Sequence, residues 1–398
     1  MRIRGLDDIG DVRGKRVIVR GDLNVPVADG HVSDPSRLRA LVSTLAELAD
    51  NGAKVIVLSH FGRPPNGPDQ ANSLHRVAKA LSGELGRPVV FVKDCAGEAA
   101  EAEIDALPQG SIVVCENTRF HKGEEANDPV FARAMGRLGD IFVNDAFSAA
   151  HRAHATTEGL AHLMPSYAGR AMEAELAALE KALGAPTHPV AAIVGGAKVS
   201  TKLAVLENLV SRVDHLMIGG GMANTFLAAR GVNVGRSLCE HEMADKVREI
   251  LDAAESARCT VHLPYDVVVA SEFRAHAPTR VVNVHEVGAD DMILDLGPAA
   301  VEALADVLKT CATLVWNGPL GAFETPPFEA ATISLARTVA ALTQAGTLVS
   351  VAGGGDTVAA LAMAEVIPAF SYVSMAGGAF LEWMEGKDLP GVAALRRP

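Results

Sequence analysis

The chain has 398 residues, 49% of them hydrophobic, and a formal net charge of −12. This length and composition predict two domains with sizeable cores, and the excess of acidic groups argues against a nucleic-acid partner. No stretch reaches the roughly 18 apolar residues of a membrane span, and the N-terminus lacks a signal-peptide core, so we expect a cytoplasmic protein without membrane contact. The five cysteines are scattered without metal-ligand spacing, and we interpret them as buried free thiols.

The first strand and helix patterns of the chain bring polar side chains together. Residues 16–20 form a short apolar strand pattern that ends before Asp22 and Asn24. A helix pattern then runs up to Gly52 and carries Arg37 in its opening turns. A basic side chain near a helix N-terminus opposes the helix dipole, so a bound anion is favoured at Arg37.

Strand and helix patterns continue to alternate through the first half, and basic side chains follow the ends of the later strands. These side chains are His60, Arg63, Arg119 and Arg152. Alternation of this kind predicts a parallel α/β sheet whose ligands bind at the carboxyl ends of the strands. Singly, each group would be a surface or structural residue, but together they predict a basic cluster for a small phosphorylated acid, because guanidinium groups match phosphate and carboxylate bidentately.

A charged helical pattern near the middle of the chain separates two similar halves. We interpret it as a linker helix, since a proline-rich segment follows and strand–helix alternation then restarts. The predicted boundaries are a front domain at 1–170, an interdomain helix at 171–184, a rear domain at 185–375 and a C-terminal tail at 376–398. In the rear half, Lys198 and Lys202 would share one helix face if the helix begins near Lys198.

The stretch 347–362, TLVSVAGGGDTVAALA, predicts a strand, a glycine loop and a helix. This arrangement directs backbone N–H groups and the positive end of the helix toward a phosphate. Asp356 and Thr357 fall in the first helical turn, where a carboxylate beside phosphate oxygens can hold Mg²⁺. On this motif alone, Asp356 is equally well interpreted as a helix cap.

Seven motifs along the chain resemble those of the phosphoglycerate kinase family. They occur in the family's order and span nearly the whole chain. The motifs are RGDLNVP at 20–26, SHFGRP at 59–64, ENTRFHKGEEAND at 116–128, NDAFSAAHRAHATT at 144–157, GGAKVSTK at 195–202, WNGPLGAFE at 316–324 and GGGDT at 353–357.

The resemblance implies two doubly wound, parallel-sheet, Rossmann-like domains joined by a hinge helix, with one ligand on each domain. The front domain would bind 3-phosphoglycerate through Asp22, Asn24, Arg37, His60, Arg63, Arg119 and Arg152. The rear domain would bind Mg-ADP or Mg-ATP. There the resemblance assigns the phosphates to Lys198, Lys202, Gly354, Gly355 and Thr357, the metal to Asp356, and the nucleoside to Asn317 and Glu324.

The chain departs from the family pattern at several positions. Gly21 and Leu23 replace the usual Val and Phe, which we expect to alter packing beside Asp22. Glycine is commoner at Ser148 and valine at Ala322, both mild changes. Met375 and Ala376 replace a threonine and a glycine, which removes a hydroxyl and a glycine from a turn that would face phosphate.

The expected activity is reversible phosphoryl transfer from 1,3-bisphosphoglycerate to ADP, by a monomeric enzyme of glycolysis and gluconeogenesis. The acceptor in the reverse direction is a carboxylate that is ionised at neutral pH, so no general base is needed, and we expect Arg37 and Lys198 to carry catalysis. Two alternatives are a nucleotide-dependent dehydrogenase and a non-catalytic two-domain protein that binds a phosphate ligand. The first lacks a clear G-x-G-x-x-G with a ribose-binding acid, and the second would not need the lysine pair opposite Asp356.

Overall fold

The computed structural model describes residues 3–64 and 67–396, and the chain divides into two compact units. The front unit consists of Met1–Leu176 together with Asp388–Pro398, and the rear unit is Ala177–Lys387. The segment returning to the front unit therefore begins at Asp388 in this division, whereas the sequence prediction begins the tail at residue 376.

The front unit is built on a six-stranded parallel sheet in which the strand order reverses at β1. The strands of this unit are β1 (Arg16–Arg20), β2 (Val27–Ala28), β3 (His31–Val32), β4 (Lys54–Leu58), β5 (Val89–Val92), β6 (Ile112–Cys115), β7 (Ile141–Asn144) and β8 (Ser166–Ala168). The sheet order is β5-β6-β4-β1-β7-β8, and β2 and β3 form a separate hairpin. The carboxyl ends of β6, β4, β1 and β7 are therefore neighbours.

Helices cover this sheet because each presents an apolar stripe to it. They are α1 (Ser36–Asp50), α2 (His75–Leu85), α3 (Glu98–Asp105) and α4 (Pro129–Gly136). In α1 the leucines at 38, 41, 45 and 48 recur at helical spacing and are buried in one cluster with Val17, Val19 and Val57 of the sheet. The strands are buried along nearly their whole length, as expected for a parallel sheet covered by helices.

The rear unit repeats this architecture and adds a small antiparallel sheet. Its strands are β9 (Val190–Val194), β10 (His215–Ile218), β11 (Thr260–His262), β12 (Asp266–Ala270), β13 (Arg280–Asn283), β14 (Met292–Leu296), β15 (Thr313–Asn317), β16 (Val349–Gly353) and β17 (Tyr372–Ser374). The parallel sheet has the order β11-β10-β9-β15-β16-β17. The sequence prediction of parallel α/β sheets is confirmed for both units.

The antiparallel sheet, of order β13-β12-β14, was not predicted from the sequence. The chain leaves the parallel sheet after β11 and forms β12 in the antiparallel sheet. No long crossover helix separates β12, β13 and β14, and strands joined by short connections pair antiparallel.

A helical segment crosses the boundary between the two units. Helix α5 (Arg170–Leu179) continues into a π-helical turn, Glu180–Gly184, over the region predicted as an interdomain helix. The later helices are α6 (Leu203–Leu209), α7 (Gly221–Ala229), α8 (Ala244–Ser256), α9 (Pro298–Leu308), α10 (Ala330–Gln344), α11 (Gly355–Met363), α12 (Gly377–Met384) and α13 (Pro390–Ala393). Within the described residues, we find no helix with the length and apolar character needed to cross a membrane.

The start of α5 is held in the front unit by a cluster of carboxylates around Arg170. Its guanidinium lies 2.7 Å from Glu47, 2.7 Å from Asp7 and 3.0 Å from Glu173. The Arg170 backbone N–H also donates to Thr44 Oγ1 at 2.8 Å. These contacts raise the pKa of the Arg170 guanidinium, chiefly through its hydrogen bonds to Glu47.

We predict that Arg170→Ala lowers the free energy of unfolding by about 1–2 kcal/mol, because a network of exposed ion pairs is worth more than a single pair of about 0.2–1 kcal/mol. Urea unfolding followed by circular dichroism measures the effect. Arg137→Ala is the matched control, since Arg137 makes one exposed ion pair, to Glu101 at 2.8 Å. Equal shifts for the two variants would contradict a network at the start of α5.

Candidate active site

Polar side chains from four neighbouring strand ends form a basic cluster in the front unit. Asp22 and Asn24 follow β1, His60 follows β4, Arg119 follows β6 and Arg152 lies in the loop after β7. The charges of Arg119 and Arg152 act on the His60 ring, which shows that the three groups lie close together. The basic residues predicted from separate motifs are thus brought to one edge of the sheet.

Asp22 orients Arg37 at this edge. One Arg37 nitrogen lies 3.1 Å from Asp22 Oδ2 and donates to the Asn24 carbonyl at 2.8 Å. The Ser148 hydroxyl donates to the same Asp22 oxygen at 2.5 Å, so the departure from glycine at 148 adds a hydrogen bond to the site. The departure at Gly21 concerns packing, because a Cβ there would lie 2.6 Å from Leu41 Cδ2.

The Arg119 side chain is enclosed and only 6% exposed. It donates to the Gly62 carbonyl at 2.7 Å, and its guanidinium lies 2.9 Å from the Glu125 carboxylate. Burial lowers the pKa of Arg119, and the charges of Arg152 and Arg63 lower it further. Arg63 is itself exposed, so it adds positive charge at the rim of the cluster.

His60 is oriented by a buried arginine that the sequence analysis did not select. Arg20 is only 1% exposed, and its Nη2 lies 2.8 Å from His60 Nδ1. Burial, followed by the charge of Arg20, lowers the pKa of His60 far below its usual range, so the ring is neutral. A neutral ring that accepts from Arg20 at Nδ1 carries its proton on Nε2, which makes His60 a hydrogen-bond donor.

Glu124 supplies the counter-charge beneath the cluster and was also missed. Its carboxylate is 0% exposed and accepts from Thr156, at 3.2 Å from the backbone N–H and 2.5 Å from the hydroxyl. Burial raises the pKa of Glu124, whereas the charges of Arg20 and Arg119 oppose that rise. His154 lies 4.0 Å away, and burial with Arg119 lowers its pKa to about 4. The sequence does contain a signal for Arg20, because it follows three apolar residues at the end of the strand RVIVR.

The rear unit contains a cavity of about 530 Å³ with mostly apolar walls. Loops after β9, β10 and β15 line it, together with Leu238, Phe273 and Met292. Leu238 and Phe273 remain exposed on its walls, as suits a flat aromatic ligand. Glu324 and Asp356 lie at its edge and provide carboxylates there.

Glycines bring the backbone close enough to shape this cavity. Gly220 has a φ of 68°, and a Cβ there would lie 2.6 Å from the Gly196 carbonyl oxygen. Helix α7 begins at the next residue, so its N-terminus opens on the cavity wall. No other residue type fits position 220 without displacing the loop after β9.

Lys202 is partly buried beside the cavity and bound by backbone and side-chain oxygens. Its ammonium group donates to the Gly195 carbonyl at 2.7 Å and to Asn317 Oδ1 at 2.5 Å. Burial lowers the pKa of Lys202 to about 8, and the charge of Asp356 acts in the opposite direction. Asn317 is 2% exposed and also donates to the Gly353 carbonyl at 2.7 Å. The Asn317 side chain therefore fixes Lys202, and its predicted contact with a nucleoside stays a prediction.

Lys198 and Lys202 do not share a helix face, because α6 begins only at Leu203. The preceding loop is held by Glu240, whose carboxylate accepts from the Ser200 N–H at 3.0 Å and from its hydroxyl at 2.6 Å. Lys198 is exposed on this loop, and Lys202 is turned inward. The condition for a shared face, a helix beginning near Lys198, is therefore not met, and residues 198–202 are non-helical.

The glycine loop of the 347–362 stretch has the predicted strand–loop–helix form. Strand β16 ends at Gly353, Gly354 is the N-cap with a φ of 100°, and α11 begins at Gly355. Asp356 is exposed in the first turn and is not the N-cap residue, so the interpretation as a cap is excluded. The Thr357 hydroxyl oxygen accepts from the Gly318 N–H at 2.7 Å, which leaves its proton available for a phosphate oxygen.

Asp356 fits the role of a Mg²⁺ ligand. Its carboxylate is exposed at the start of a helix, beside a lysine and a glycine loop suited to phosphates. Mg²⁺ bound with a nucleotide usually takes one or two carboxylates, phosphate oxygens and water. The donor set around Asp356 meets that requirement.

The turn with the two departures from the family pattern lies next to this loop. A Cβ on Gly377 would lie 3.8 Å from the Gly355 nitrogen, so α11 and α12 begin side by side. Ala376 is the N-cap of α12 with a φ of −98°, a conformation that requires no glycine. Met375 is 44% exposed.

Comparisons with known proteins agree with the geometry of both units. The phosphoglycerate kinase family model matches residues 6–387. The chain is 69% identical over 395 residues to the phosphoglycerate kinase of Rhizorhabdus wittichii and 68% identical over 396 residues to that of Novosphingobium aromaticivorans; each match covers 99% of this chain and 100% of the relative.

Solved structures give the same result for the fold. The phosphoglycerate kinase of Coxiella burnetii superposes with a TM-score of 0.92 at 40% identity, covering 99% of each chain. That of Pyrococcus horikoshii superposes with a TM-score of 0.81 at 28% identity, covering 99% of this chain and 98% of the other. The resemblance and the fold class predicted from the sequence are confirmed, and neither alternative function gains support. The chain belongs to the phosphoglycerate kinase family.

Proposed function

We propose that the chain catalyses the reversible transfer of a phosphoryl group from 1,3-bisphosphoglycerate to ADP, giving 3-phosphoglycerate and ATP, in glycolysis and gluconeogenesis. The observation that carries the proposal is the basic cluster at four neighbouring strand ends of the front unit. The rear unit supplies an apolar cavity of nucleotide size, edged by Asp356 and adjoining Lys202 and the N-terminus of α11.

The front unit binds the phosphoglycerate through charge-assisted hydrogen bonds. Five side chains neutralise the charge of the phosphate and carboxylate of the phosphoglycerate or donate hydrogen bonds to them: Arg37, His60, Arg63, Arg119 and Arg152. Asp22 and Asn24 act partly by positioning neighbouring groups. Asp22 orients Arg37, and the Asn24 amide oxygen accepts from the Gly62 N–H at 2.9 Å. His60 donates through Nε2, since Arg20 occupies Nδ1.

The rear unit binds the nucleotide. Its apolar cavity holds the base, Glu324 accepts from the ribose hydroxyls, and Asn317 contributes by holding Lys202. The phosphates meet Lys198, Lys202, Gly354, Gly355 and Thr357, aided by the dipole of α11. Asp356 holds Mg²⁺, which supplies charge neutralisation on the nucleotide phosphates when bound.

Catalysis consists of positioning and of charge neutralisation on the moving phosphoryl group. The acceptor carboxylate is already ionised, so no side chain has to remove a proton. Arg37 and Lys198 are the two cations that we assign to the transition state. The ligands of the two units must meet for reaction, and we assign this closure to the helical segment 171–184.

As part of the same proposal, the enzyme is a cytoplasmic monomer that binds small molecules and neither nucleic acid nor membrane. The net charge of −12 supports the exclusion of nucleic acid. A coupled assay with Mg-ATP and 3-phosphoglycerate tests the activity. Turnover that requires both substrates is expected, whereas binding of 3-phosphoglycerate without turnover would favour a non-catalytic binding protein.

Loss of Arg63 at the rim or of the enclosed Arg119 is expected to weaken binding of 3-phosphoglycerate but not of ADP. Arg63→Ala and Arg119→Ala should each cost about 1.5–3 kcal/mol, or roughly 10- to 150-fold in affinity, because each removes a charge-assisted contact. Calorimetric titration with each ligand measures this. Arg39→Ala is the control, since Arg39 is exposed on α1 and paired with Glu84 at 2.9 Å. Equal loss of ADP affinity would contradict the assignment of this cluster to 3-phosphoglycerate.

Replacement of Lys198 is expected to act on the rate constant. Lys198→Ala should lower kcat more than it raises either KM, because a cation matched to charge on the moving phosphoryl group acts chiefly in the transition state. Steady-state kinetics separate the two effects. Lys122→Ala, which removes a lysine outside the proposed site, is the control. A change confined to the KM for ATP would reduce Lys198 to a ground-state phosphate ligand.

The turn at Met375 and Ala376 is expected to support catalysis as it stands. The double reversion Met375→Thr with Ala376→Gly should change kcat by less than about tenfold, or roughly 1.4 kcal/mol, because the N–H groups of α12 survive any side-chain change. The negative φ of Ala376 removes the conformational need for glycine. A wild-type protein with negligible turnover that the reversion restores would show that this turn had been disabled.

A further inference from the structure

Three metal-ligating side chains meet at the front unit's sheet edge, outside the basic cluster. Asp94 and Cys95 follow β5, and His121 follows the 3₁₀ turn after β6. One ligand atom from each residue lies within 4.8 Å of the other two, and His121 Nε2 is 2.9 Å from Asp94 Oδ1. Asp94 and Cys95 are adjacent, whereas His121 comes from a second, distant segment, which explains why the cysteine spacing gave no sign of a metal site.

The ligand set selects the kind of ion. A thiolate, an imidazole and a carboxylate together favour Zn²⁺, whereas Mg²⁺ and Ca²⁺ prefer oxygen ligands throughout. The two negative ligands would neutralise the charge of the ion. Zinc bond lengths of about 2.0–2.3 Å place tetrahedral ligands roughly 3.3–3.8 Å apart, so the site closes by a shift of about 1 Å.

The exposed side chains of the site have room to make that shift, and the contacts of His121 restrict its orientation. Asp94 and His121 are half-exposed, at 49% and 38%, while Cys95 is buried and fixes one corner. The His121 ring stacks on Phe131 with centroids 4.9 Å apart, which limits its rotation. Within the described part of the chain, the Asp94 hydrogen bonds from Cys95 N, Ala96 N and His121 all involve Oδ1, so Oδ2 remains for an ion.

We propose that Asp94, Cys95 and His121 form a zinc-binding site with three protein ligands and a fourth position open to water. Asp94 and His121 also have a structural role without a metal. Asp94 accepts from two backbone N–H groups in its own turn and pairs with His121. That role requires no metal affinity, which makes the two interpretations separable by experiment.

The test is titration of untagged, chelator-treated protein with Zn²⁺ in competition with a chromophoric chelator, without nucleotide. One equivalent is expected to bind saturably. Cys95→Ser and His121→Gln should each weaken binding at least tenfold, and His121→Gln changes a half-exposed side chain that the core does not need. Cys115→Ser removes a buried thiol outside the three ligands and should leave the affinity within about twofold.

Cobalt(II) provides an independent readout of the thiolate. The wild-type protein and Cys115→Ser should show thiolate-to-cobalt charge-transfer absorption, and Cys95→Ser should lose it. Absence of saturable binding at one equivalent would overturn the proposal, as would unchanged zinc affinity in Cys95→Ser or His121→Gln. A charge-transfer band that disappears in Cys115→Ser and persists in Cys95→Ser would overturn it as well.

Discussion

A guanidinium group inside a protein core must be surrounded by acceptors and counter-charge, and the front unit is arranged around this requirement at Arg20. The group is removed from water, which costs several kcal/mol unless each donor is paired. Thr156 accepts from Nε at 2.9 Å, His60 accepts from Nη2, and Glu124 supplies negative charge close by. These contacts fix His60 and the loop around Thr156, next to the other arginines of the basic cluster.

Burial also distinguishes two lysines that the sequence presents as equivalent. Lys202 is turned inward onto Asn317 and the Gly195 carbonyl, and its pKa falls to about 8. Lys198 stays in solvent on a loop clamped by Glu240. One ammonium group is held in place beside the cavity, and the other is exposed to solvent. The contacts that we propose for the two lysines therefore start from different surroundings.

Much of this molecule could be predicted from the sequence because strand, glycine loop and helix recur with the chemistry placed at strand ends. The parallel sheets, the basic cluster and the start of α11 follow from that repetition. The pairing of Arg20 with Thr156 and His60 and the charge of Glu124 nearby could not be predicted, since contacts between distant segments leave no local pattern. The antiparallel sheet and the late start of α6 depend on short connections and on the Glu240 clamp, which spacing alone does not reveal.

The two ends of the chain meet in the front unit. Gly391 donates to the Ala150 carbonyl at 2.8 Å, Asn144 donates to the Gly391 carbonyl at 3.3 Å, and Ile3 pairs with Arg396. The ribosome therefore releases the last strip of the front unit only after the whole rear unit has been made. The unit synthesised first is therefore completed last, because Asp388–Pro398 follows the whole rear unit in the chain.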